Sequence, residues 1–184
     1  MDKVTKIYQE QKNREQFEKI ISDIATNEMV LKMKQYRQHY ETSTYEHCMH
    51  VSYMSYKIAK KFHLDFISLA RAAMLHDLFL YDWRKKQRDI RIKGLHAIAH
   101  PKIAYLNAIR EFKLNDKEKD IILKHMWPVT LKLPKYKESY LITFTDKYCA
   151  IIESFRYYIK LLRAKRIYQY INALAFFITA IISK

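Results

Sequence analysis

Three stretches of this chain place chemistry-bearing side chains on apolar helical faces. His47 shares a stripe with Val51, Met54 and Ile58 at i, i+4, i+7 and i+11, so its imidazole points the way a core face points. His76 ends a similar stripe of Phe66, Leu69 and Ala73 and is followed at once by Asp77. Asp146 lies in Leu141-Ile142-Thr143-Phe144-Thr145-Asp146, on one face with Ile142, Cys149, Ala150 and Glu153. An inward carboxylate without a cation is costly, so an inward Asp needs a partner. Histidines and carboxylates converging from several helices are a usual way to build a metal site. Any one of these residues alone reads as an ordinary core or surface side chain. Their joint occurrence, in a chain with 8 histidines and 19 acidic residues, points to a metal.

The elements that must position them are helices. The first segment carries Val4, Ile7, Phe17, Ile20, Ile21 and Ile24 at helical spacing, which predicts an amphipathic helix buried along that stripe. Ser43 and Glu46 form a capping box that opens a helix running to about Phe62. Asp65 caps the next helix, which carries His76. The basic stretch Trp83 to Lys93 reads as a loop or short irregular helix before Gly94. Pro101 is expected in the first turn of a helix bearing Ile103, Ala104, Leu106 and Ile109. Asn115 with Glu118 makes a second capping box, on a helix that Pro128 cannot continue. A long helix from about Glu138 to Leu162 follows, and a last one from about Arg166 ends in the apolar run Ala173 to Ile182.

Composition narrows the field. The chain has 184 residues, 49% hydrophobic and 29% charged, which describes one globular domain with a real core. Gly94 is the only glycine, and that excludes phosphate-cradling loops and dinucleotide fingerprints, which need several. It also argues against a β-rich fold, whose hairpins usually need residues with φ > 0. The fold expected is an all-α, single-domain helical bundle. Cys48 and Cys149 are too few for a disulfide framework or a cysteine zinc site. The opening residues are charged throughout with no apolar signal core, and the terminal apolar run is too short to span a bilayer, so the cytoplasm is the default compartment. A formal net charge of +15 favours anionic partners, whether phosphorylated small molecules, nucleic acid or an anionic membrane surface; a Lys-rich solvated surface is the plain alternative.

The order His47, His76-Asp77 and distant Asp146 resembles the HD-domain superfamily of metal-dependent phosphohydrolases. The flanks agree: Tyr45-Glu46-His47 with Val51, Ala73-Met74-Leu75-His76-Asp77, and Thr145-Asp146-Lys147. The resemblance covers about residues 40–155, with helices before it (1–39) and a helical extension after it (156–184). His100-Pro101-Lys102-Ile103-Ala104 and Ile122-Leu123-Lys124-His125-Met126 resemble further segments of the binuclear subgroup. The resemblance implies His47, His76 and Asp146 on one metal, His100 and His125 on a second, and Asp77 bridging both. It implies two divalent transition-metal ions, of Fe, Mn, Co, Ni or Zn. Leu78-Phe79-Leu80-Tyr81 stands where a better-known branch has Ile-Gly-Lys, and no Gly-Tyr-Pro motif follows, so cyclic di-GMP specificity is not implied.

The reaction implied is attack of a metal-activated water on the phosphorus of a small phosphorylated molecule or nucleotide. Asp77, His96 and Lys147 are the catalytic candidates, His96 as ligand, proton shuttle or phosphate contact, with a capping role as its plain alternative. Arg84, Lys102, Lys124 and Lys147 are candidate phosphate contacts, and Tyr81, Trp83 and Trp127 candidate base stackers. His50 reads as bordering the pocket or packing, His39 and His63 as surface residues, and both cysteines as small buried hydrophobes. Two readings compete. The same six ligands serve a di-iron oxygenase. A non-enzymatic basic module would use Arg156, Lys160, Arg163, Lys165 and Arg166 beside Tyr157, Tyr158 and Tyr168 to bind nucleic acid or an acidic membrane. For the terminal helix, core closure or a homodimer seam is the preferred reading.

Overall fold

A computed structural model describes residues 2–84, 95–164 and 169–170. In chain order the elements are α1 (Lys3–Ala25), α2 (Glu28–Leu31), a 3-10 turn (Lys32–Gln35), a hairpin of β1 (Arg37–His39) and β2 (Thr42–Ser43), then α3 (Thr44–Lys61), α4 (Phe66–Leu75), α5 (His96–Glu111), α6 (Asp116–Lys124) and α7 (Lys137–Leu162). Among the described residues the fold is all-helical apart from that hairpin. Among the described residues no helix is long and apolar enough to cross a membrane. The expected terminal helix, apart from Gln169 and Tyr170, lies outside the described residues, as do its dimer seam, Lys165, Arg166, Tyr168 and the stretch from Lys85 to Gly94.

α4 is the hub. Its sequence FISLARAAML is rich in strong helix formers, and Leu69, Ala70, Ala72, Ala73, Met74 and Leu75 are all fully buried. The alanines have no bulk to hold neighbours off, so α1, α3 and α6 close on the helix from several sides, and α5 and α7 reach it too. Asp65 caps it as expected, accepting from the Ser68 N–H at 3.0 Å. Its first turn is open at Ile67 and Arg71 is half-buried, but residues 72–79 are all buried, so whatever stands at the C-terminal end of α4 stands inside the molecule. That residue is His76, followed by Asp77.

Both capping boxes form. Ser43 Oγ accepts from the Glu46 N–H at 3.2 Å while the Glu46 carboxylate accepts from the Ser43 N–H at 2.8 Å, and Asn115 and Glu118 repeat the arrangement on α6. α7 begins one residue before the expected Glu138 and ends where expected, at Leu162.

Three expectations are corrected. α1 buries only Phe17, Ile21 and Ile24, whereas Val4 and Ile7 are 75% and 60% exposed. At about 1.5 Å per residue α1 is more than twice as long as the α4 it packs on, so its first turns run past the core. Pro101 is not in a first turn: α5 starts at His96, and Pro101 sits inside it with its ring buried. The helix tolerates the missing N–H there because only one intrahelical bond is forgone near the N-terminal end. The β1–β2 hairpin has no counterpart in the sequence reading. Its tip is Tyr40 at φ 50°, a left-handed conformation taken without glycine.

Candidate metal centre

α4 and α6 end alike. His76 and His125 are the C-caps of their helices, and each tips its ring back so that Nδ1 lies 2.7 Å from the Ala73 carbonyl oxygen and 2.9 Å from the Ile122 carbonyl oxygen. A carbonyl only accepts, so both Nδ1 atoms carry hydrogen, and each bond satisfies a carbonyl that its helix end leaves open. His100, in the second turn of α5, does the same toward the His96 carbonyl at 2.9 Å. Three imidazoles are thereby fixed in one tautomer, with Nε2 facing inward.

What they face is Asp77, itself almost fully buried. Asp77 Oδ1 lies 3.2 Å from His100 Nε2 and 3.5 Å from His125 Nε2, and the two Nε2 atoms lie 2.8 Å from each other. His76 Nε2 lies 3.6 Å from both Asp77 Oδ2 and Asp146 Oδ1. Asp146, on α7, approaches His47 Nε2 at 3.0 Å. All six residues expected as ligands from the resemblance therefore converge in one place, from α3, α4, α5, α6 and α7. Two trios bring one potential ligand atom each to within 4.8 Å of the others: His47, His76 and Asp146, and His76, Asp77 and His125.

The electrostatics are lopsided. With each Nδ1–H tied to a backbone carbonyl, the Nε2 atoms of His100 and His125 face each other at 2.8 Å, an arrangement that only a shared proton or a cation makes favourable. Among the described residues His76 Nε2 and Asp77 Oδ1 are buried without any hydrogen-bond partner. The negative ends of the α4 and α6 dipoles add to the same field. Burial opposes ionisation of Asp77 and Asp146, yet the surrounding imidazoles hold both carboxyls well below the usual range. Burial likewise opposes a charge on His47, but Asp146 and Glu153 push its pKa up to about 10. Deprotonated carboxylates and inward Nε2 atoms form a donor set that suits a divalent transition metal, and the missing positive charge is what such an ion brings.

Sequence reasoning missed the second layer. Glu153 accepts from His47 Nδ1–H at 3.0 Å and from His50 Nδ1–H at 2.9 Å, so it fixes the His47 ring as a carboxylate behind a ligand histidine does. Its signal was present: Glu153 stands seven residues after Asp146, two turns along the same face of α7. His39 is corrected from a surface residue to a half-buried one, its ring packing edge-on against His47 at 5.0 Å; His39, His47 and Glu153 form a third trio of potential ligand atoms. Gln38 Nε2 donates to Asp77 Oδ2 at 2.6 Å. His63 is exposed and Cys48 and Cys149 are buried, as expected, and burial pushes the Cys149 thiol up to about 11.

The remaining candidates fall around the centre. His96 stacks between Trp83 and His100, with ring centroids at 5.3 and 4.7 Å, and shares a 3.0 Å hydrogen bond with the Tyr81 hydroxyl. Burial and the neighbouring histidines lower its pKa to about 4, so it is neutral at pH 7. Lys147 donates to the Trp127 and Thr143 carbonyls, both at 3.3 Å. Arg84 is paired with Asp82, Lys124 with Asp120, and Lys102 projects from the exposed face of α5. Trp127 packs edge-on against Tyr140 rather than beside the histidines.

A family model for the HD domain matches residues 44–151, more than half of the chain, from the first residue of α3 into α7. No curated protein and no solved structure gives a match. HD domains bind divalent metals and are generally metal-dependent hydrolases, which agrees with a buried His/Asp cluster able to hold a metal. The chain belongs to the HD-domain family.

Proposed function

We propose that this protein is a phosphohydrolase with a binuclear metal site, cleaving a phosphoester of a small phosphorylated molecule or a nucleotide. One observation carries the reading: three histidines from three helices have their Nδ1–H groups tied to backbone carbonyls, which aims three Nε2 lone pairs at the single carboxylate of Asp77. His47, His76 and Asp146 would hold one ion and His100 and His125 the other, with Asp77 a ligand available to both. Bound there, divalent ions supply Lewis acidity, bringing the pKa of water toward neutrality and stabilising charge on phosphoryl oxygens.

The chain's own residues do the rest. Asp77 and Asp146 remain ionised at neutral pH because the imidazoles around them favour the carboxylate. Glu153 holds the His47 proton on Nδ1, leaving Nε2 to face Asp146. Neutral His96, stacked on His100 and bonded to Tyr81, sits at the edge of the cluster, where an imidazole can pass a proton to or from a leaving oxygen. The charge of +15 draws an anionic substrate to the molecule.

Metal content per chain, measured by plasma mass spectrometry on protein purified without chelator, tests the reading together with turnover of a panel of phosphomonoesters, phosphodiesters and nucleotides. About two transition-metal ions and phosphate release are expected. Replacement of Asp77 by Ala is expected to abolish both. One ion per chain would reduce the centre to His47, His76, Asp77 and Asp146. Two irons with oxygen consumption and no phosphate release would transfer the protein to the oxygenase branch, which has the same ligands.

A further inference from the structure

Asp77 is approached by histidines of the helical bundle and also by a side chain that belongs to none of its helices. Gln38, on β1, reaches the carboxylate with Nε2 at 2.6 Å from Oδ2. The amide orientation follows from chemistry, because an ionised carboxylate only accepts and the amide nitrogen must face it. That orientation turns Gln38 Oε1 into the interior, where, among the described residues, it has no hydrogen-bond partner. A glutamine amide offers donors at one end and an acceptor at the other. This one is satisfied on the Asp77 side alone.

The consequence for Asp77 is a division of labour between its oxygens. Oδ2 is taken by the Gln38 amide, with His76 Nε2 farther off at 3.6 Å, whereas Oδ1 is left with no hydrogen bond and with two imidazole nitrogens beside it, at 3.2 and 3.5 Å. A half-turn about the Cβ–Cγ bond only swaps two equivalent oxygens, but any smaller turn of the carboxylate plane would break the Gln38 bond. Gln38 therefore sets the plane of the carboxylate.

The hairpin that delivers Gln38 is itself held down. The Thr44 N–H donates to the Tyr36 carbonyl at 2.8 Å where the hairpin joins α3. At the tip, the Tyr40 ring stacks on Tyr157 at 4.3 Å, and its hydroxyl shares a 2.7 Å hydrogen bond with that of Tyr158, both on α7. Tyr40 takes its left-handed backbone conformation under these contacts, which glycine could not make. α7 also carries Asp146, so one helix anchors both the hairpin and a candidate ligand.

We infer that Gln38 is a positioning residue for Asp77: its amide locks the plane of that carboxylate so that Oδ1 points toward His100 and His125, at the ion those two histidines would hold. This rests on the reading of Asp77 as a metal-bridging carboxylate. Outer partners of metal ligands typically change metal affinity 10- to 100-fold, and Gln38 belongs to that class.

The test is a Co(II) titration of the full-length, metal-free chain, followed by visible absorption, for the wild type, Gln38→Met and Gln38→Asn. Methionine keeps the length without the amide, and asparagine keeps the amide but falls one methylene short. Both variants are expected to bind at least one Co(II) about tenfold or more weakly and to shift its absorption bands, while the metal-free thermal midpoint stays near that of the wild type. Wild-type affinity and spectrum in either folded variant would overturn the inference and leave the metal reading intact. Failure of both variants to fold would overturn it too, since Gln38 would then serve the fold rather than Asp77. A wild type that takes up no Co(II) would remove the binuclear reading and this role with it.

Discussion

At the scale of single residues, the centre is governed by where protons sit. Without metal, His47 retains a proton between Asp146 and Glu153, with a pKa of about 10 against an ordinary 6.5, and His76 is likewise raised well above its usual value by Asp77. A folded-state pKa above the unfolded one contributes stability that is complete below pH 6.5 and is lost as pH rises toward 10. The metal-free protein is therefore expected to lose thermal stability between pH 6.5 and 10, by about 2–4 °C for each kcal/mol of linkage. Metal-loaded protein, in which ions replace those protons, is expected to show no such fall. Melting curves across this range, with and without Zn(II), measure the difference; parallel slopes would show that His47 and His76 are not where the metal goes. Glu153 is the residue to remove next. Glu153→Ala deprives His47 Nδ1–H of its acceptor, and a 10- to 100-fold loss of metal affinity is expected by isothermal titration, with only a small change in helix content.

Helices reveal themselves by their ends, and here the ends were legible. Ser43 with Glu46 and Asn115 with Glu118 announce α3 and α6 because a capping side chain and its partner lie three residues apart in sequence and in space. That His47, His76 and Asp146 face inward could be read for the same reason, since a stripe on a helix face is a local property. Two features escaped because nothing local encodes them. Pro101 fits a first turn or a second turn equally well, and the true start at His96 has no side-chain cap to mark it. The hairpin has neither glycine nor asparagine at its turn, and Tyr40 occupies φ 50° on contacts with Tyr157 and Tyr158, more than a hundred residues away. Gln38 and the inward placement of His39 were hidden with it. The caps give the prediction proper to this scale. Asn115→Ala removes the acceptor for the Glu118 N–H and the donor to Ser68 Oγ, and should cost about 1–2 kcal/mol in urea unfolding. A cost near zero would mean that α6 is held by packing alone.

Across the whole molecule, α4 links the N-terminal helix to the cluster of histidines and carboxylates. Arg71, on its partly open side, donates to Asp23 at 2.7 and 2.9 Å and to the Ile20 carbonyl on α1, and lies 3.3 Å from the buried Glu118 carboxylate on α6. Burial raises the Glu118 pKa despite the Asn115 N–H and Arg71. Arg71→Ala would leave that carboxylate without its cation and should cost roughly 2–3 kcal/mol at neutral pH. The loss should shrink as pH falls through the Glu118 titration, because protonation removes the unpaired charge. Urea unfolding of wild type and variant at pH 7 and pH 5 checks both the size and the trend, and a pH-independent loss would assign Arg71 a packing role only.

The family match runs from residue 44 to residue 151, and its two borders fall just inside three side chains that touch the centre. Gln38 and His39 precede the first border; Glu153 follows the second. A gene fragment cut at those borders would carry every presumed ligand and still lose the group that orients Asp77 and the group that orients His47. The excised piece would keep the sequence signature of a metal enzyme while holding its ions loosely. The working boundary of this centre is thus drawn by hydrogen bonds, and it encloses a longer chain than recognition by pattern does.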